Sequence, residues 1–201
     1  MSTAATPKFT SVSELRDAIM WHQDTAYAQK MIHPVPELPT VKDRSAYLIE
    51  KAKDKVVLDI GCSGPISEKI KASAKIYYGV DQVQVNDCEV IDLDHRPDLM
   101  QKHDDVEIVI CSEFLEHLTN PGYFLLVLKK YYAEKLIYIT VPNAGGYTVH
   151  DNCEIVNKDH VCWYSYTTLK TLLTRTGFEI VESRWYHGLP HKAEGIIMVV
   201  R

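Results

Sequence analysis

No run of the 201-residue chain is apolar for long enough to cross a bilayer, so a membrane span is excluded as its organising element. Met1 to Thr10 has no apolar core of the secretory kind, and a disordered lead on a cytoplasmic protein is expected. The cysteines, Cys62, Cys88, Cys111, Cys153 and Cys162, are odd in number and none stands at C-x-x-C spacing. That pattern predicts reduced thiols rather than a disulfide framework, and no metal site is expected. Positive charge is short as well: 22 Lys and Arg against 27 Asp and Glu leave −5. With no basic stripe interleaved with aromatics, a nucleic-acid partner is not expected. Internal repeats and low-complexity segments are missing, which excludes repeat arrays. What remains, 46% hydrophobic and 24% charged, suits one domain with a full core. Nothing in it fixes the oligomeric state.

The chain is organised around Val56-Val57-Leu58-Asp59-Ile60-Gly61-Cys62-Ser63-Gly64-Pro65. Val56 to Ile60 is a β-branched and aliphatic run suited to a strand buried on both faces of a parallel sheet. Gly61 and Gly64 allow a tight turn with its backbone open to a ligand, and Pro65 suits the first turn of a helix. Strand, glycine turn and helix start together predict a nucleotide-type site at the carboxyl edge of a sheet. The dinucleotide fingerprint G-x-G-x-x-G does not fit, because the glycines stand at G-x-x-G spacing with an Asp inside the strand.

Upstream, a helix is predicted from Ser11 or Ser13 to about Met31 and a second from about Val41 to Ala52, separated by the proline-rich stretch His33–Pro39. These N-terminal helices, residues 11–54, are expected to pack on the core or cover the substrate site. Residues 55–201 form the main domain. Downstream of the first strand, strands are predicted at Lys75–Asp81, Cys88–Leu93, Val106–Cys111 and Leu136–Val141. The second and third lie too close together for an ordinary crossover helix, so that helix is expected to be short or absent. Ser112–Leu118 turns into a helix running to about Tyr132, interrupted at Asn120-Pro121-Gly122. Ala144–Cys162 is long for a structureless loop and reads as a lid hinged at Gly145 and Gly146. A helix over Tyr166–Thr176, stopped by Gly177, precedes a closing antiparallel pair at Phe178–Tyr186 and Gly195–Val200.

Four motifs now stand in order: Leu58–Gly64, Gly79-Val80-Asp81, Val109–Leu118 and Thr176–Val181. Together they resemble class I S-adenosylmethionine (SAM) methyltransferases, from about Val56 to Val200. Ser63 and Pro65 replace two of the family's usual glycines. The segment Ser112-Glu113-Phe114-Leu115-Glu116-His117-Leu118 resembles the branch holding ubiquinone, menaquinone and glycan O-methyltransferases. The resemblance implies an α/β, Rossmann-like, doubly wound and mostly parallel seven-stranded sheet with a C-terminal antiparallel hairpin. It implies SAM as cofactor and S-adenosylhomocysteine as product. Asp59, Gly61, Cys62, Ser63 and Gly64 would cradle the amino-acid part of SAM. Asp81 would accept the ribose hydroxyls. Asp92 and Leu93 would flank the adenine, with Asp94 competing for the polar contact. Ser112, Glu113 and Phe114 would line the methionine side, with His117 beside them.

Methyl transfer from a sulfonium mainly needs alignment, and a hydroxyl acceptor also benefits from a base with a pKa near neutrality. His160, His117 and His150 are the candidates. His160 leads because it closes the expected lid beside Trp163, Tyr164 and Tyr166, although a structural role tying lid to sheet is the blander reading. The expected function is methyl transfer to a small-molecule acceptor, most plausibly at a hydroxyl oxygen. A carbon or nitrogen acceptor, or a SAM-binding protein without catalysis, are the alternatives.

Overall fold

The computed structural model describes residues 35–85, 87–144, 157–187 and 194–201. All but Val35 belong to one compact unit, Pro36–Arg201. The helix predicted over Ser11–Met31, the hinge glycines and most of the predicted lid lie outside the described residues.

Its frame is an eight-stranded sheet. The strands are β1 (Thr40–Val41), β2 (Val56–Ile60), β3 (Ile76–Asp81), β4 (Glu89–Val90), β5 (Ile108–Ser112), β6 (Leu136–Pro142), β7 (Ile180–Tyr186) and β8 (Gly195–Val200). They are arranged β1-β7-β8-β6-β5-β2-β3-β4, and every neighbouring pair is parallel except the two made by β8. The β-branched runs explain the central strands. All five residues of β2 are buried, because the sheet is covered on both faces.

Successive residues of β2 serve opposite cores. Leu58 and Ile60 join Val109, Ile137 and Ile139 under α3 (Pro121–Tyr132) and α4 (Tyr166–Arg175), through Phe124, Leu128, Leu169 and Leu173. Val57 joins Ile108, Ile110 and Tyr138 under α1 (Arg44–Ala52) and α2 (Ser67–Ser73), through Leu48, Ala52, Ile66 and Ile70. This is the doubly wound architecture expected, and β8 with β7 forms the antiparallel hairpin. Between β3 and β4 no helix occurs among the described residues. None of the helices described is long and apolar enough to cross a membrane.

Two expectations are corrected. The sheet has eight strands rather than seven, because Thr40–Val41 pairs in parallel with β7. Trp185 N–H donates to the Pro39 carbonyl and His187 N–H to that of Val41. Val41 is therefore strand, and the helix predicted from it begins at Arg44, capped by the Asp43 carboxylate on Ala46 N–H at 3.1 Å. The helix expected to run on from Ser112 is instead a 3-10 turn, Leu115–His117. A fresh start follows at Asn120, whose side chain caps Tyr123 N–H with Pro121 in the first turn.

Gly195 pairs with Tyr186 across β7 and β8 and lets the tyrosine ring lie over its backbone. A Cβ there would stand 1.9 Å from Tyr186 Cζ. Gly195→Ala is expected to cost about 1–3 kcal/mol through overpacking and to displace the Tyr186 hydroxyl. Urea unfolding of the variant checks this, and unchanged stability would show that the ring finds another seat.

Candidate active site

A cleft of about 340 Å3 opens where β2, β3 and β5 end. Strand order reverses between β2 and β5, the point where open α/β sheets bind ligands. Gly61, Ser63 and Gly64 come from the turn after β2, Asp81 from the tip of β3, and Leu93 and Asp94 from beyond β4. Ser112, Glu113, Phe114 and His117 come from the end of β5 and its 3-10 turn. The cleft thus gathers nine of the twelve residues expected at the cofactor.

The glycine turn is tight for a stated reason. Gly61 has φ +80, and a Cβ on it would meet Phe114 Cδ2 at 2.7 Å. The two strand-end turns press together, and only glycine fits between them. Asp81 holds the same turn from the other side. Its carboxylate is 4% exposed and accepts from Ser63 N–H at 2.9 Å and Val83 N–H at 3.1 Å. A carboxylate offers about four acceptor positions, so two N–H donors leave capacity for hydroxyls in the cleft.

Three expected residues lie elsewhere. Asp59 is 1% exposed and turns toward α2, where the Tyr77 hydroxyl donates to it at 2.9 Å and Ser67 also bonds to it. Burial raises its pKa to about 6, against those two hydrogen bonds, with Asp81 adding to the rise. Cys62 faces a separate hollow shared with Tyr77, Tyr78, Cys88 and His103. Burial pushes its thiol up to about 12, which leaves it protonated and unreactive. Asp92 is exposed and bonds to the His95 ring at 3.0 Å, which holds its carboxyl below the usual range. Asp94 is the acid in the cleft wall, and it also ties that wall to α3. It accepts from Thr119 N–H, Thr119 Oγ1 and Asn120 N–H at 2.8, 2.7 and 3.1 Å.

Glu113 is held in the left-handed region at φ +52. Its Oε1 receives the Tyr186 hydroxyl at 2.8 Å, Thr140 Oγ1 at 2.9 Å and the Arg44 guanidinium at 2.9 Å. Arg44 also stands over the Tyr186 ring, 5.3 Å from its centroid. It lines the cleft, and no sequence signal marks it, since it opens a helix outside every motif.

Next to Phe114 the two candidate histidines meet. The rings of His117 and His160 are 4.8 Å apart at 85°. His117 Nδ1–H donates to the Asp159 carbonyl at 3.0 Å, which leaves Nε2 with its lone pair. His160 reaches the cleft through His117 rather than lining it, and Trp163 stands 5.6 Å away on its other side. Burial and the neighbouring His117 lower the His160 pKa, so its ring is neutral at pH 7. Glu116 is 1% exposed and, among the described residues, neither of its carboxyl oxygens has a hydrogen-bond partner. Burial, with Glu113 nearby, raises its pKa to about 8.

A doubly wound sheet with a glycine turn and a strand-tip acid at its switch point is the arrangement at which open α/β sheets bind ligands. Residues 20–183 match the family described as the methyltransferase domain, which is most of the chain. The chain belongs to that family. The small RNA methyltransferase HEN1 is similar in structure at 17% identity and TM-score 0.62, over 79% of this chain and 24% of that one. This chain therefore spans about a quarter of HEN1. A SAM-dependent methyltransferase from Archaeoglobus fulgidus is similar at 18% identity and TM-score 0.61, covering 78% and 91% of the two chains. A third is the 1,6-didemethyltoxoflavin-N1-methyltransferase of Burkholderia thailandensis, bound to 1,6-didemethyltoxoflavin and S-adenosylhomocysteine, with 15% identity, TM-score 0.58 and coverage of 94% and 85%. At such identities the likeness is one of fold. No curated protein sequence matches the chain.

The raised Asp59 pKa makes stability depend on pH. The folded protein holds this proton more tightly than the unfolded chain, whose value is near 3.8. The stabilising contribution is complete below pH 3.8 and is lost as pH rises through about 6. Asp59→Asn removes the titration. The wild type should therefore gain stability relative to Asp59→Asn on going from pH 7 to pH 4, by on the order of 3 kcal/mol at most. Paired urea denaturations across that range check it, and a constant difference would contradict the raised pKa.

Proposed function

We propose that this protein transfers the methyl group of SAM to a hydroxyl oxygen of a small molecule, as do the ubiquinone, menaquinone and glycan O-methyltransferases that its Ser112–Leu118 segment resembles. The observation that carries the reading is one cleft joining two kinds of chemistry. An acid with spare acceptor capacity, Asp81, stands in one wall, and an imidazole with a free Nε2, His117, stands in another. The first suits a ribose and the second suits a hydroxyl that must lose its proton.

In this reading Asp81 takes the ribose hydroxyls. Gly61, Ser63 and Gly64 face the amino-acid part, and Leu93 with Asp94 flanks the adenine. Ser112, Glu113, Phe114 and His117 border the reacting end. Asp59, Cys62 and Asp92 act indirectly, by shaping the turns that carry these residues. SAM supplies a methyl carbon on a sulfonium: the oxygen–carbon bond forms as the carbon–sulfur bond breaks, the pair stays on sulfur, and the hydroxyl proton leaves. The chain's own residues align the oxygen and help that proton depart, with His160 assisting through its contact with His117. A net charge of −5 supports a small acceptor over a nucleic acid. The cytoplasm is the proposed location, in keeping with the free thiols of Cys62, Cys88, Cys111 and Cys162.

S-adenosylhomocysteine should raise the melting temperature, corresponding to about 2.7 kcal/mol at ~100 times its dissociation constant, while NAD should leave it unchanged. A thermal-shift titration in which neither nucleoside acts would overturn the reading. Asp81→Ala should weaken the nucleoside by roughly 1–3 kcal/mol. It should also cost stability, since Ser63 N–H and Val83 N–H lose their acceptor. Asp81→Asn keeps an acceptor and should retain more of the fold than of the affinity. Calorimetry on the folded variants decides, and unchanged affinity removes Asp81 from the ribose. With an acceptor in hand, His160→Ala should lower turnover about 10²–10⁴-fold with nucleoside affinity intact.

A further inference from the structure

Among the described residues the buried Glu116 carboxyl group has no hydrogen-bond partner, and a ring nitrogen of His117 and one of His160 lie within 4.8 Å of it. A buried polar group left in this state costs free energy, and native proteins rarely tolerate it without a use. We propose that Glu116, His117 and His160 form a binding site for one divalent first-row transition-metal ion, of the zinc or manganese class, beside the methyl-transfer cleft.

The geometry carries this in three ways. First, the candidate ligand atoms of the three residues lie within 4.8 Å of one another. Around a bound ion with bonds of about 2.0–2.2 Å they would stand roughly 3.4 Å apart. The widest of these separations must contract by about 1.4 Å, within the reach of side-chain torsions. Second, the arms that carry the ligands are already tied together. Val161 N–H and Cys162 N–H both donate to the Glu116 carbonyl, at 2.8 and 2.9 Å, which fixes the His160 segment against the 3-10 turn. His117 is oriented by its own bond to the Asp159 carbonyl. A metal-bound histidine typically donates its other ring N–H to such a carbonyl, so Nε2 of His117 is prepared as a ligand. Third, His160 Nδ1 is buried and has no hydrogen-bond partner among the described residues. The Asn157 side-chain amide lies 3.0 Å from the opposite nitrogen, Nε2. Its oxygen accepts Asp159 N–H at 3.1 Å, so the amide N–H donates to Nε2, and ligation through Nδ1 requires the amide to turn, its oxygen moving from Asp159 N–H to Nε2–H.

Two imidazoles and one carboxylate favour a borderline cation over magnesium or calcium, which prefer oxygen. Three protein ligands leave coordination positions open, and His117 lines the cleft, so an open position can face the acceptor. An acceptor hydroxyl bound there would ionise more readily, its proton passing to solvent. His117 and His160 would then act by holding the cation rather than by taking or relaying the proton. This role rests on the O-methyl transfer reading above, whereas the binding of the ion does not.

The test uses the full chain, stripped of metal with a chelator and dialysed, then titrated with Co²⁺ and with Zn²⁺. One ion per chain should bind, with Co²⁺ giving visible ligand-field bands of a nitrogen and oxygen site. Glu116→Gln, which keeps the side chain's shape, and His160→Ala should each weaken binding more than about tenfold. His95→Ala, on the exposed His95–Asp92 pair, should not. S-adenosylhomocysteine binding is measured on the same samples. If the nucleoside binds and no cation does, or if Glu116→Gln and His160→Ala bind the cation as the wild type does, the metal site is wrong and the methyl-transfer reading stands. If the cation binds stoichiometrically but the nucleoside does not, the metal site holds and that reading fails.

Discussion

The wall of the cleft depends on the Glu113 carboxylate. Its backbone occupies the left-handed region at φ +52, which costs a non-glycine residue on the order of 1–2 kcal/mol. Two bonds hold the backbone there, from Glu113 N–H to the Thr140 carbonyl at 3.0 Å and to Thr140 Oγ1 at 3.1 Å. The side chain then collects donors from α1, β6 and β7 on a single oxygen. One carboxylate thereby joins the end of β5 to the outer strands and to a helix outside every sequence motif. The twist it imposes sets Phe114 against Gly61, and so sets the shape of the glycine turn across the cleft.

Three carboxyl groups near the cleft are almost fully buried, and their environments differ in an informative way. Asp81 is satisfied by backbone N–H groups and Asp59 by hydroxyls. Glu116 is satisfied by none of the described residues. Local rules of polar satisfaction are kept where the residue builds the fold and broken where function would use the group. That contrast, rather than the motif around Glu116, singles out the Glu116–His117–His160 cluster.

Much of the fold was legible in the chain because apolar runs such as Val56–Ile60 and Leu136–Val141 can only be buried strands. The glycine spacing and Asp81 marked the cleft for the same local reasons. What was not legible follows from geometry that runs between elements. Thr40–Val41 is too short to show a period, and only its pairing with Trp185 and Tyr186 makes it strand. Arg44 gains meaning only from Glu113, 69 positions away by their numbers. Asp59 was expected at the cofactor from the motif, but side chains alternate along a strand. It shares its face with Val57, on the side covered by α1 and α2, so it meets Tyr77 and Ser67 instead. Asp92 and Asp94 lie in irregular chain, where no period tells which of two acids turns inward.

A crystal structure of the full chain with S-adenosylhomocysteine tests the central claim most directly. The account predicts the nucleoside in the cleft between Gly61–Gly64 and Ser112–Phe114, with both ribose hydroxyls within hydrogen-bond distance of the Asp81 carboxylate. Nucleoside density in the hollow beside Cys62, Cys88 and His103, or a ribose that leaves Asp81 untouched, would contradict it.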